Sequence, residues 1–155
     1  MLRMLCRTTA PPAVILVRLM VGLVFLSEGL QKFLFPESVG AGRFAKIGFS
    51  NPELTATIVA VFEIVCGSLI VLGLFTRLAV LPTITIMLVA IAMTKLPILR
   101  ESGFWKMAHE ARTDFAMLLG SLFLLIVGGG RASVDACCCC GSEGAKASGP
   151  SLPRS

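Results

Sequence analysis

The chain has 155 residues, of which 55% are hydrophobic and only 15% charged, and its mean hydropathy is +0.87. A soluble domain of this length is nearer 45–50% apolar and about 25% charged, so this composition excludes an ordinary soluble enzyme. The net charge of +5 is scattered over loops and ends instead of forming a patch, which excludes a nucleic-acid partner and leaves the lipid bilayer as the expected one.

Four apolar stretches are long enough to cross a bilayer, which takes roughly 17–25 residues. They lie near 13–35, 54–75, 78–98 and 112–129. Residues 1–12 form a basic lead-in with Arg3 and Arg7. It resembles the start of a secretory signal, but Arg18 interrupts the apolar run and no small-residue cleavage site follows, so an uncleaved first span is expected. At 36–53 comes a first loop, "PESVGAGRFAKIGFSNPE", whose Phe44, Ile47 and Phe49 suit a membrane interface and whose Asn51-Pro52 suits a helix start. A short turn at Thr76-Arg77 separates the second and third spans. In the third loop, "RESGFWKMAHEAR", Trp105 marks a membrane–water boundary, and the fourth span has room to begin inside this loop. Residues 136–155 are expected to be a disordered tail, rich in Cys, Gly, Ser and Pro. The predicted fold is all-α, an integral membrane four-helix bundle of up-down topology in the plasma (inner) membrane.

Such a topology puts both termini on one side. Arg3, Arg7, Arg77, Arg131, Lys146 and Arg154 lie there, against Arg43, Lys46, Arg100, Lys106 and Arg112 opposite. The balance leans slightly towards cytoplasmic termini. Arg18 and Arg77 read as anchors at the terminal side, Arg77 facing the C-terminal end of the second helix.

The charges inside the spans are the informative residues. Glu28, Gln31 and Lys32 are i, i+3 and i+4 neighbours and share a helix face. Counted inward from Phe35 and Leu54, Glu28 and Glu63 differ in depth by only about 3 Å. Lys95 and Asp114 fall in the same half of the membrane. Lys32, Lys95 and Asp114 lie near the expected span ends, where each alone would snorkel to the interface. Glu28 and Glu63 are deeper, and a charge there faces a cavity or a partner. This leaves two readings: a functional polar site built from Glu28, Gln31, Lys32, Glu63, Lys95 and Asp114, or helix-holding ion pairs such as Glu28 with Lys32 or Lys95. Gly29 and Gly67 sit beside the carboxylates and allow close helix approach.

Other chemistry is sparse. No phosphate loop, zinc spacing or Ser/His/Asp arrangement is present, and the single histidine, His109, lies in a loop. Haem-ligand pairs, iron–sulfur spacing and a flavin fingerprint are also missing, so the chain is expected to carry no cofactor or metal of its own. Six cysteines include Cys66 in mid-span and the run Cys137–Cys140, where adjacency suits neither disulfides nor structural zinc.

The segments "RLMVGLVFLSEGLQKFLF", "FEIVCGSLIVLGLFTR" and "GGGRASVDA" resemble the DoxX family of small four-span membrane proteins, with Glu63, Gly67, Gly73 and Arg77 in the most specific part. The likeness covers most of 14–136. Glu28 stands where that family often has histidine, which keeps a titratable group but loses a neutral donor–acceptor. The resemblance implies a four-helix membrane bundle. It also implies a link to quinone- or thiol-dependent redox complexes, since the family is named for a small subunit of a thiosulfate:quinone oxidoreductase. The expected function is therefore a subunit of a membrane redox system with other subunits as partners and a quinone as bound substrate. A small-solute or proton-coupled transporter and a non-catalytic assembly protein are the alternatives.

Overall fold

The computed structural model describes residues 11–134, and every regular element among them is helical. Helix α1 runs Val14–Leu34, the short α2 Ala41–Ile47, α3 Pro52–Leu72 and α4 Thr76–Ala90. A π-helical segment, Ile91–Lys95, continues α4 into α5, Leu96–Ser102, and α6 runs Phe104–Val127. The expected tail, the run Cys137–Cys140 and Asp135 lie outside the described residues.

Three helices are long and apolar enough to cross a membrane: α1, α3 and the continuous stretch Thr76–Ser102. The fourth long helix, α6, starts at Phe104, well ahead of the expected 112, so its first turns carry Lys106, Glu110 and Arg112. The third span likewise runs past 98 to Ser102. Both extensions have a plain cause: Gly103, with φ +82°, breaks the chain in a single residue where the sequence suggested a longer loop.

Neighbouring long helices run antiparallel. Gly22 of α1 faces Gly67 and Val71 of α3, whereas Gly29, two turns on, faces Ala60 and Ile64. A Cβ at Gly67 would lie 2.8 Å from the backbone nitrogen of Leu26, so the two backbones touch where side chains would otherwise hold them apart. α4 packs on α6 in the same sense, Arg77 reaching Ile126 and Lys95 reaching Asp114. Between these pairs Val21, Phe25, Ile70, Val80 and Leu124 form a fully buried core.

The exposure pattern is inverted relative to a soluble protein. Leu16, Ile126 and many other large apolar side chains point outward, while Arg18, Glu63, Thr83, Lys95 and Ser121 are buried. Water would penalise that arrangement and hydrocarbon favours it. The protein is a membrane protein.

Local backbone features set the direction of the polar side chains at the two ends of the bundle. At the end of α3, Gly73 has φ +70°, and Leu74 N–H donates to the Leu69 carbonyl, closing the helix in a Schellman turn. In the third span, Pro97 has no N–H to return to the preceding turn. The ladder before it loosens into the π segment, whose last residue is Lys95.

Candidate functional site

Helix α1 brings Glu28 and Lys32 to α3 because Gly29, between them, lies against Ala60, Glu63 and Ile64. Lys32 Nζ lies 2.6 Å from Glu63 Oε2 and 3.7 Å from Glu28 Oε2, so one ammonium joins two carboxylates from two helices. The Glu63 side chain is 2% exposed, that of Lys32 8% and that of Glu28 43%, a gradient from core to surface. Lys32 therefore does not snorkel to the interface. A buried, 2.6 Å ion pair replaces the water it would seek there.

Lys95 pairs elsewhere. Its Nζ is 3.2 Å from Asp114 Oδ2, and both residues lie deeper than expected because α5 and α6 extend beyond them. The π segment is what turns Lys95 inward. A π turn absorbs one extra residue and shifts every following side chain around the axis. Gln31 does not join the cluster: its amide donates to Ser27 Oγ on an exposed face. Of the six polar residues expected at one site, the structure thus gathers Glu28, Lys32 and Glu63 in one group and Lys95 with Asp114 in a second.

A cavity of about 250 Å³ lies between the two groups. Glu28, Lys32, Glu63 and Asp114 line it, and α2 covers it with Arg43, Phe44 and Ile47. Most of the wall is apolar, from Phe25, Val59, Met87, Met93 and Met117, while Thr85, Thr94 and Thr113 add polar atoms. Counting Lys95 behind Asp114, three cations meet three carboxylates around the chamber, so its formal charge is balanced. Arg43 is the one cation of the three that has no carboxylate within ion-pair distance among the described residues. Sequence reasoning missed Arg43, whose place in a loop gave it no helical register to count.

At the other end of the bundle, Arg18 corrects the expectation of an anchor. It is 2% exposed. Its Nε donates to the Ile70 carbonyl at 3.0 Å and Nη2 to Val71 at 2.6 Å, while Nη1 donates to Gly129 at 2.9 Å and Ala132 at 2.6 Å. The guanidinium fork reaches two of the last carbonyls of α3, Val71 and Ile70, the second of which also accepts from Gly73 N–H, and ties them to the segment after α6. A Cβ on Gly73 would come 2.5 Å from Arg18 Cζ. Arg77 donates to the Ile126 carbonyl of α6 at 3.0 Å. No cluster of His, Cys, Asp and Glu suited to a metal occurs among the described residues.

Comparison with known proteins fits this architecture. A 51% identical relative over 130 residues, 80% of each chain, is an uncharacterized membrane protein of Mycobacterium tuberculosis. No solved structure matches. The DoxX family model matches residues 13–96, which hold α1 to α4 and with them Glu28, Lys32, Glu63 and Lys95. The chain belongs to the DoxX family.

Proposed function

We propose that this protein holds a quinone-type head group in the chamber, as the small membrane subunit of a quinone- or thiol-linked redox complex. In this reading it is a multi-pass plasma-membrane protein, α6 is its fourth crossing and its termini are cytoplasmic. The observation that carries the reading is the chamber itself, a mostly apolar hollow of about 250 Å³ with a balanced set of charges at its ends. A balanced site suits a neutral guest, and the volume suits a ring whose tail runs out among lipid. Quinone carbonyls accept hydrogen bonds, and Arg43 and Lys32 donate them. A quinol donates, and Glu63 and Asp114 accept. Electrons must come through partner subunits, because the residues around the chamber offer only proton and hydrogen-bond chemistry.

The test is extraction of the full chain from native membrane into lipid nanodiscs, with bound quinones identified by mass spectrometry. About one quinone per chain is expected, falling at least tenfold in Glu63→Gln although the variant still inserts. A chamber found with no quinone, together with a measured solute flux, would establish the transporter reading; neither quinone nor flux would leave an assembly role.

A further inference from the structure

A second hollow, of about 550 Å³, opens beside the first loop. Exposed Glu37 and Glu53 stand at its rim, and small side chains, among them Ala41, Ala45, Ala56 and Ala60, line its floor. Among the described residues, Lys32 alone lines both this hollow and the chamber. Helix α2 lies between them, with Ala41 and Ala45 towards the outer hollow and Arg43, Phe44 and Ile47 towards the chamber. Along α3 the outer hollow reaches from Pro52 to Ala60, about 12 Å, and so ends within one turn of Glu63. Glu63 itself lines only the chamber.

We infer that the outer hollow is a water-filled vestibule and that Lys32 is a proton inlet from it to Glu63. The Lys32 ammonium gives an N–H proton to the Glu63 carboxylate 2.6 Å away, leaving an amine and a carboxylic acid. The amine then takes a proton from vestibule hydronium, and the net change is one proton moved from the vestibule onto Glu63. Charge favours this uptake. Glu28, Lys32 and Glu63 together carry a formal −1, which one proton brings to zero, and a weakly polar interior favours the neutral set. The other charged groups around Glu63 are Arg43 on α2 and, across the chamber, Asp114 on α6 with Lys95 behind it; α4 contributes Thr85 and no titratable side chain to the wall. What the proton is used for rests on the quinone reading, but the inlet does not.

The test uses the full chain in lipid nanodiscs with no quinone added. Infrared spectroscopy follows the carboxyl stretch of Glu63, assigned by its loss in Glu63→Gln, after a switch to D2O at acidic pH. In the wild type this carboxyl should exchange as fast as solvent arrives. Ala45→Phe changes an exposed residue, so the fold tolerates it, and it plugs the vestibule; exchange should slow at least tenfold. Lys32→Met should slow it similarly, while Lys46→Met, which removes an exposed cation of α2 that lines neither hollow, should leave the rate unchanged. Wild-type speed in Ala45→Phe or in Lys32→Met, a slow wild type, or equal slowing in Lys46→Met would each overturn the inlet. Failure to find a quinone would remove the use of the proton and leave these exchange rates standing.

Discussion

Lys32 joins two carboxylates that sit on different helices, and the consequences are asymmetric. Replacing it by methionine leaves Glu63 buried beside apolar atoms with no counter-charge. Breaking a buried pair in this way costs about 3–5 kcal/mol, whereas replacing both partners by apolar residues is often close to neutral. Lys32→Met should therefore lower the melting temperature in detergent markedly, and Lys32→Met with Glu63→Leu should recover most of the loss. Equal destabilisation by the single and double variants would show that the pair contributes nothing. Arg18 calls for a different expectation. Its guanidinium serves four carbonyls at once, and an ammonium has only three donors and no fork. Arg18→Lys should thus destabilise nearly as much as Arg18→Met, each buried carbonyl left without a donor costing about 1–3 kcal/mol, although Ile70 keeps the Gly73 N–H. Thermal unfolding of the two variants side by side checks this.

At the scale of elements, the α1–α3 contact depends on Gly22 and Gly67. Gly67→Leu must push the helices apart, and overpacking of this kind costs typically about 1–3 kcal/mol or more. It should also lengthen the Lys32–Glu63 distance, so loss of quinone binding and loss of thermal stability should appear together. These elements were largely legible in the sequence. Apolar run lengths marked α1, α3 and most of the third span, and the 28/32 spacing with depth counting brought Glu28, Lys32 and Glu63 together. The Arg18 cluster was not legible, because its acceptors lie 52 to 114 residues away in the chain and backbone carbonyls leave no mark on composition. Nor was the pairing of Lys95 with Asp114. Depth counted from expected ends cannot see a π turn, which changes the direction of a side chain without changing any residue. Deleting Ala92 should remove the extra residue, restore a regular α-helix and leave Lys95 facing Asp114. A charge-pair cycle between Lys95 and Asp114 should then still show coupling, whereas loss of coupling would show that the π turn does not set the direction of Lys95.

For the whole molecule, the inverted surface puts α1, α3 and Thr76–Ser102 across the membrane, and α6 is proposed as the fourth crossing. With the native cysteines replaced, single cysteines at Trp105 and Arg131 should react with impermeant thiol reagents from opposite faces. Labelling of both from one face would take α6 out of the bilayer. The two ends of the bundle also differ in how firmly they are closed. One end is tied by Arg18, which binds α1 to the end of α3 and to the segment after α6. The other holds two hollows divided by a seven-residue helix. A guest that widens the chamber can spread only the open end. The protein is built like a pair of tongs, with the guanidinium of Arg18 as its rivet and Lys32 between its jaws.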